Sequence, residues 1–176
     1  MKTLTIFEVW ARIMSRSEAL YEHIMRHYLA YIASILGFWV FAYHFEFSIN
    51  VSNSLPGTLY IVEKGVLPSR GEYLSFDYPS DFIYQKNSHF LKRTAGVAGD
   101  VVQNSDHHFF VNGKSVGVAL LRTSAGDPIE EDSFTGIIPA GYYYVAGDHP
   151  KSLDSRYKAV GLVPAAIVNG RAFRIF

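Results

Sequence analysis

The chain contains no cysteine among its 176 residues. This absence excludes thiol nucleophiles, disulfides, zinc ribbons and iron–sulfur clusters, and it fits an oxidising compartment, where an unpaired thiol is a liability. Net charge is absent as well, because 16 Lys and Arg side chains balance 16 Asp and Glu side chains. A nucleic-acid-binding protein normally carries a basic stripe, so the composition predicts no nucleic-acid partner.

Histidine is present, with 7 residues, but its distribution does not indicate a metal site. His107 and His108 are adjacent, and adjacent side chains in a strand point to opposite faces. The other histidines form no H-E-x-x-H motif. We therefore expect no bound metal and no cofactor.

One apolar segment is long enough to cross a membrane. From His27 to Phe45 the chain carries no Asp, Glu, Lys or Arg. A helix over residues 27–45 would span roughly 28 Å, close to the ~30 Å of a bilayer core. Tyr and Trp near both ends fit interfacial aromatic belts, and the run exceeds the ~7–15 residues of a signal-peptide core. The sequence predicts a retained transmembrane helix in the lipid bilayer.

The charged flanks of this segment predict its orientation. Lys2, Arg12, Arg16 and Arg26 precede the span, and the next basic residue is Lys64. By the positive-inside rule, residues 1–26 are a cytoplasmic segment and residues 46–176 are periplasmic. The chain would be a single-pass protein of the bacterial inner membrane. Residues 1–26 fit an interfacial amphipathic helix and a plain helical lead-in equally well.

Residues 46–176 have the pattern of a β domain. Short aromatic and β-branched runs lie between turn signals, at 59–63, 73–77, 108–111, 142–146 and 166–176. Asn112-Gly113 predicts a two-residue hairpin turn, because both positions favour positive φ. No long helical period follows Phe45. The mainly β fold expected is one antiparallel domain, either a sandwich or a partly open barrel.

Two residues in this region are candidates for serine/lysine chemistry. Ser54 precedes Pro56 and Gly57, which together make a rigid turn able to present a hydroxyl. Lys92 lies between apolar residues and a glycine-rich run. Burial there would lower its pKa from ~10.4 and let it act as a general base. Each residue alone also fits a common turn or a solvated surface lysine.

A third polar block completes the set of candidates. Residues 147–157 contain Asp148, Ser152, Asp154, Ser155 and Arg156. Taken alone, this block also fits a polar loop closed by an Asp/Arg ion pair. A Ser-His-Asp triad stays open by residue counts.

Together these blocks resemble the type I signal peptidase family of membrane-anchored serine/lysine proteases. Three motifs match: Ser52-Asn53-Ser54-Leu55-Pro56; Lys92, Arg93, Gly96, Gly99 and Asp100; and Gly147, Asp148, Ser152, Asp154, Ser155, Arg156 and Tyr157. Pro56 follows Ser54 by two positions, which is similar to the TraF-type branch that processes pilins in conjugation. The short stretch between Lys92 and Gly147 implies that the accessory β subdomain is minimal or missing.

The resemblance implies a role for each matched side chain. Ser54 would be the nucleophile and Lys92 the general base. Ser52 and the Ser54 backbone N–H would form the oxyanion hole, Ser152 would orient Lys92, and Asp154 would pair with Arg156. The implied substrate is a precursor protein with a signal peptide, most specifically a pilin, with conjugative transfer proteins as further partners.

Two alternatives stay open at this point. A pilin transpeptidase, or cyclase, would use the same Ser54 ester with an amine instead of water as the attacking group. A non-catalytic component of a secretion apparatus would use the β domain only to bind partners. A repressor autoprotease would share the Ser/Lys chemistry, but residues 1–26 are too few for a DNA-binding domain.

Overall fold

The computed structural model describes residues 6–52, 54–123 and 125–176, and the chain divides into two compact units between Tyr43 and His44. The first unit contains one helix, α1 (Ile6–His44), whose backbone leaves helical geometry at His27 (φ −118°, ψ 15°). Lys2, part of the predicted orientation signal, lies outside the described residues, and so does the side chain of Arg12.

Helix α1 contains a stretch, Met14–His44, that is long and apolar enough to cross a membrane. Phe38 and Trp39 are each 71% exposed, whereas a core helix of a soluble protein would bury such side chains. The helix extends well before residue 27, so the preceding segment is also helical. The predicted C-terminal end of the span, Phe45, was wrong, because the helix ends at His44 and Phe45 lies in a strand, where it pairs with Glu63. Residues 45–49 alternate apolar and polar side chains, which is the strand period.

The second unit, the β unit (His44–Phe176), has its described strands in two antiparallel sheets. The strands are β1 (Phe45–Ile49), β2 (Leu59–Lys64), β3 (Tyr73–Asp77), β4 (His89–Gly96), β5 (Val101–Ser105), β6 (His108–Val111), β7 (Lys114–Val118), β8 (Gly136–Ile137), β9 (Tyr142–Ala146), β10 (Val163–Pro164) and β11 (Val168–Arg174). The larger sheet has the strand order β1-β2-β11-β3-β4-β9-β10, and the smaller sheet has the order β7-β6-β5-β8. The smaller sheet lies between β4 and β9 in sequence, so the accessory structure is minimal but present.

Most of the predicted strands are confirmed. Four of the aromatic runs are β2, β3, β6 and β9. The last run begins as a short 3₁₀ helix (Ala165–Ile167) and becomes a strand only at Val168. The Asn112-Gly113 turn has φ values of 50° and 73° and joins β6 to β7 with Val111 opposite Lys114.

His107 and His108 do not share a strand. His107 has a φ of 63° and forms, with Asp106, the turn between β5 and β6, so only His108 belongs to a strand. Strand β5 ends at Ser105, and Asp106 (φ 52°) tolerates the left-handed conformation that a tight hairpin turn requires.

Two groups of apolar side chains form the core of the β unit. The larger group joins both sheets and includes Phe76, Val102, Phe109, Ile138 and Tyr144. The smaller group is Leu55, Tyr60, Val62, Leu91 and Ala172. Leu55 follows Ser54 and Leu91 precedes Lys92 in the chain. The smaller group therefore packs the segments that carry the two candidate catalytic residues against each other.

Candidate active site

A cleft of about 460 Å³ lies between the end of β1 and the beginning of β4. Strand β1 is the end strand of the larger sheet. Strand β9 pairs with β4 only from Arg93 to Gly96, so His89–Lys92 have a strand neighbour on one side only. The residues lining the cleft are Ile49, Asn50, Val51, Ser52, Ser54, Tyr84, Ser88, His89, Phe90, Leu91, Lys92, His149, Lys151, Ser152 and Leu153.

Ser52 and Ser54 lie in the loop that connects β1 to β2. The backbone N–H of Asn50 donates to the Thr58 carbonyl at 2.8 Å and closes the base of this loop. Ser54 is buried, with 6% of its surface exposed. The Ser52 hydroxyl donates to Ser54 Oγ at 2.9 Å. The two predicted serines are therefore in direct contact, whereas Asn53 between them lies outside the described residues.

The turn after Ser54 depends on glycine at position 57. Gly57 has a φ of 89°, a conformation that disfavours any side chain. A Cβ atom at this position would also overlap the Phe176 carbonyl oxygen. The carbonyl of the preceding Pro56 accepts a hydrogen bond from the buried Tyr60 hydroxyl. Gly57 and Tyr60 thus restrict the backbone conformation of the Ser54 loop.

Lys92 is buried on β4, with 5% of its surface exposed. Its Nζ lies 5.2 Å from the centre of the Phe90 ring, and no ion pair involving Lys92 is found among the described residues. Burial lowers the pKa of Lys92 to about 8; Asp154 acts in the opposite direction and Arg156 reinforces the decrease. A substantial fraction of this amine is neutral near pH 8, as a general base requires.

Ser152 lines the same cleft as Ser54 and Lys92. Its hydroxyl is buried and has no hydrogen-bond partner within the described part of the chain. Gly147 makes room for it, because a Cβ at position 147 would overlap the Ser152 side chain. The adjacent Asp148 N–H donates to the Ser54 carbonyl at 2.7 Å. The third motif is thereby connected to the loop that carries Ser54.

Asp154 and Arg156 form a fully buried ion pair behind the cleft. Arg156 Nε and Nη2 donate to the two Asp154 oxygens at 2.8 and 2.9 Å. Arg156 also donates to the carbonyls of Ser152 and Val118, and Asp154 accepts from the Gly147 N–H at 2.8 Å. The pair therefore holds the segment containing Ser152 and connects it to the smaller sheet through Val118.

Asp100, the last residue of the second motif, has a structural environment. Its carboxylate accepts hydrogen bonds from Arg70, Asn112 and the Val97 N–H. Burial alone would raise the pKa of Asp100, but these hydrogen bonds outweigh it and lower the pKa. Asp100 fixes the turn after β4 and does not line the cleft.

A second serine motif lies away from the cleft. Residues 113–117 have the pattern G-x-S-x-G, and Ser115 Oγ lies 2.7 Å from His108 Nε2. Ser115 belongs to β7, a hairpin strand, whereas a nucleophile elbow needs a sharp strand-to-helix turn.

The neighbouring histidine, His107, contacts Glu131 at 2.8 Å, and this hydrogen bond raises the pKa of His107. In the described part of the chain, no cluster of His, Asp and Glu suited to a metal ion is found.

Sequence reasoning missed Asn50 as a member of the site. Its side chain forms hydrogen bonds inside the Ser54 loop. Asn50 precedes the first motif and resembles an ordinary turn residue, so only its position next to the S-x-S element could have drawn attention to it.

Comparison with known proteins agrees with this geometry. The model of the family "Signal peptidase, peptidase S26" matches residues 20–176. The chain belongs to this family, and the family indicates a serine endopeptidase. The long apolar helix together with this membership indicates a membrane-anchored protein.

Relatives in the family share moderate identity with this chain. Signal peptidase I of Bacillus licheniformis is 29% identical over 156 residues, covering 82% of this chain and 83% of the relative. Signal peptidase I of Pseudomonas fluorescens is 30% identical over 154 residues, but this chain covers only 53% of its length. A crystal structure of a signal peptidase I from Enterococcus faecalis V583 has 28% identity and a TM-score of 0.39, covering 60% of this chain and 96% of that one.

Proposed function

We propose that this chain is a membrane-anchored endopeptidase that removes signal peptides from exported precursors, with Ser54 as nucleophile and Lys92 as general base. The observation that carries the proposal is the shared cleft, which Ser52, Ser54, Lys92 and Ser152 all line. The buried amine supports the basic role, because a lysine with a pKa of about 8 can accept the Ser54 proton near neutral pH.

The proposed reaction follows from this arrangement. Neutral Lys92 takes the proton from Ser54 Oγ as the oxygen attacks the scissile carbonyl. The Ser54 N–H and the Ser52 hydroxyl donate to the oxyanion, for which the Ser52 O–H turns away from Ser54 Oγ. The Lys92 ammonium then protonates the leaving amine, and water hydrolyses the acyl-enzyme. The unpartnered Ser152 hydroxyl accepts from or donates to the lysine amine and orients it.

The cleft suits a substrate bound as an extended strand. The cleft lies beside the last residues of β1, the end strand of the larger sheet, and beside His89–Lys92, which have a strand neighbour on one side only. Pairing by β-augmentation would bring a scissile bond to Ser54 without a deep pocket. A signal peptide emerging from the bilayer would bind close to its own membrane-spanning end.

The proposed topology places the cleft outside the cytoplasm. Residues 1–26 would be cytoplasmic, the span predicted at 27–45 would cross the inner membrane, and 46–176 would be periplasmic. The positive flank of Arg16 and Arg26 supports this orientation. Protease treatment of spheroplasts should digest the β unit and spare residues 1–26; a protected β unit, beside a digested periplasmic marker, would contradict it.

We infer that the precursor is a pilin of a conjugative system. The two-position spacing from Ser54 to Pro56 and the small β unit support this assignment through their resemblance to the TraF-type branch. Mass spectrometry of a co-expressed pilin precursor would test it. A shortened linear product is expected, a product lighter by one further water would indicate a transpeptidase, and an unprocessed pilin would contradict the assignment.

The proposed peptidase activity is tested by comparing two serines at matched membrane abundance. The full chain in membrane vesicles is mixed with a signal-peptide-bearing precursor. Ser54→Ala should abolish cleavage, and Ser115→Ala should leave it unchanged, because Ser115 lies on a hairpin outside the cleft. Normal cleavage by Ser54→Ala would overturn the proposal, and loss of cleavage in Ser115→Ala would point to the Ser115–His108 pair instead.

A further inference from the structure

Asn50 lies at the base of the loop that carries Ser54. It is the first residue after β1, and its backbone N–H closes the loop against Thr58. Its side chain is half-buried and points across the loop interior. It reaches residues on both sides of Ser54, namely Ser52 before it and Leu55 and Gly57 after it.

The hydrogen bonds of this amide use both of its polar atoms. Nδ2 donates to the Leu55 carbonyl at 3.0 Å and to the Gly57 carbonyl at 3.1 Å. Oδ1 lies 3.3 Å from the Ser52 hydroxyl, which can donate to it. A flipped amide would place Oδ1 against two carbonyl oxygens, so only this orientation satisfies the loop.

Asn50 completes a set of donors that holds four consecutive carbonyls. The Asp148 N–H holds the Ser54 carbonyl and the Tyr60 hydroxyl holds the Pro56 carbonyl. Asn50 Nδ2 holds the Leu55 carbonyl, which lies between these two, and the Gly57 carbonyl, which follows them. Because the peptide unit is planar, fixing a carbonyl also fixes the orientation of the peptide that links that residue to the next one. These bonds therefore fix the backbone from the Ser54 Cα to the Thr58 Cα.

Asn50 also influences the Ser52 hydroxyl. That hydroxyl has one proton and two acceptors in reach, Ser54 Oγ at 2.9 Å and Asn50 Oδ1 at 3.3 Å. The Asn50 oxygen keeps the Ser52 side chain in the loop interior and offers its proton a second acceptor. Asn50 thus contacts one proposed oxyanion donor, the Ser52 hydroxyl, and the loop backbone that follows Ser54.

We propose that Asn50 is a positioning residue that pre-organises the Ser54 loop for the chemical step. Among the described residues no hydrogen bond joins Asn50 to Lys92 or to β4, so its effect acts through Ser52 and the backbone that follows Ser54. Misplacement of a reacting group by about 1 Å can lower a rate about 10²-fold. The inference rests on the proposed peptidase function and adds the residue that sets the geometry of the nucleophile.

Two substitutions of Asn50 separate its donors from its acceptor. Asn50→Ala removes all three hydrogen bonds, and Asn50→Asp keeps the size and the acceptor but has no N–H to give. We expect kcat to fall about 10- to 100-fold in Asn50→Ala and further in Asn50→Asp, whose charge faces two carbonyls. KM should stay within about threefold of wild type, because the loop backbone is not the proposed peptide-binding edge.

A matched asparagine separates positioning from folding. Asn112 also bonds through both amide atoms, to Asp100 and the Val101 N–H, but it lies in the β6–β7 turn. Asn112→Gly removes this side chain at a residue with a φ of 50°, where glycine causes no strain. It should lower the midpoint of thermal unfolding and leave kcat per folded enzyme unchanged. Asn50→Ala should instead lower kcat per folded enzyme and leave the midpoint of thermal unfolding unchanged.

The measurement is precursor cleavage by full-length enzyme in membrane vesicles, with kcat and KM given per folded molecule. Wild type and Ser54→Ala are included in the same experiment. If Ser54→Ala cleaves like wild type, the peptidase proposal fails. If Ser54→Ala is inactive but both Asn50 variants keep kcat within twofold of wild type, the positioning role of Asn50 is overturned. A drop explained entirely by unfolded protein, or confined to KM, overturns it as well.

Discussion

Among the described residues of the β unit, Lys92 and Arg156 are buried cations with opposite environments. Arg156 has 1% of its side chain exposed, and its donors reach both oxygens of Asp154 and two backbone carbonyls. Lys92 is almost as buried, but its amine lies beside the Phe90 ring. Burial with partners preserves the charge of Arg156, whereas burial without an ion pair lowers the pKa of Lys92. The same kind of side chain therefore stays charged at Arg156 and becomes partly neutral near pH 8 at Lys92.

The two cations are also coupled. Asp154 raises the pKa of Lys92 and Arg156 lowers it, so the paired Arg156 shields the lysine from the Asp154 charge. A supporting ion pair that leaves little net charge behind the cleft allows burial to dominate the pKa of Lys92.

The largest expected effect comes from making Lys92 resemble Arg156. Lys92→Arg retains a positive charge but has no neutral form near physiological pH. Loss of general-base catalysis should lower kcat about 10²- to 10⁴-fold. Precursor cleavage at matched membrane abundance measures the effect, and Lys86→Arg, outside the cleft lining, is the control. Cleavage within threefold of wild type would show that Lys92 is not the base.

Removing Arg156 should mainly affect stability. Arg156→Met leaves Asp154 buried without its cation, which typically costs about 3–5 kcal/mol of unfolding free energy. Arg171→Met, which breaks a half-exposed pair with Glu63, should cost less than about 1 kcal/mol. Denaturant unfolding in detergent compares the two variants. Equal losses would contradict the structural role assigned to the buried pair.

Ser52→Ala should leave both cations intact and weaken only the oxyanion hole. Removing one oxyanion donor typically costs about 2.7–4 kcal/mol of transition-state stabilisation, a loss of about 10²- to 10³-fold in kcat. The nucleophile remains, so slow cleavage should persist, in contrast to Ser54→Ala. A Ser52→Ala enzyme as active as wild type would remove Ser52 from the oxyanion hole.

The buried Lys92 amine also destabilises the fold at neutral pH, so removing it should raise the free energy of unfolding, whereas removing Arg156 should lower it. The folded pKa of about 8 lies below the ordinary 10.5, so the unfolded chain binds more protons between these values and stability rises with pH across them. Below about pH 8 the buried ammonium costs about 3 kcal/mol. Lys92→Met should therefore unfold later than wild type at pH 7, with the difference shrinking toward pH 10. A less stable Lys92→Met at pH 7 would contradict this account.

The smallest expected change is in the pH profile. Cleavage by wild type should rise about tenfold per pH unit below about pH 8 and level off above it, as Lys92 loses its proton. In Arg156→Met the unshielded Asp154 should raise the pKa of Lys92 and move this rise to higher pH. Folded protein at each pH is checked by its unfolding curve. An unmoved profile in a folded Arg156→Met enzyme would show that the two cations are not coupled.

Several parts of this structure followed from local sequence patterns. Short aromatic and β-branched runs located β2, β3, β6 and β9, and Asn112-Gly113 located a hairpin. These succeed because side-chain period and turn conformation depend on near neighbours in the chain. The end of the helix at His44 did not follow, since aromatic Phe45 fits a span and a strand equally well. Only its pairing with Glu63 decides between them.

The sequence by itself determined the apolar helix, the antiparallel β class, and three motifs whose spacing places the chain among the signal peptidases. The tertiary structure alone decided that Lys92 is buried, that the Ser152 hydroxyl has no partner within the described residues, and that Asn50 spans the loop of Ser54. The physical reason is that periodicity and turns are encoded by adjacent residues. Desolvation and hydrogen-bond geometry instead depend on residues such as Leu55 and Leu91, which are distant in sequence and meet only after folding.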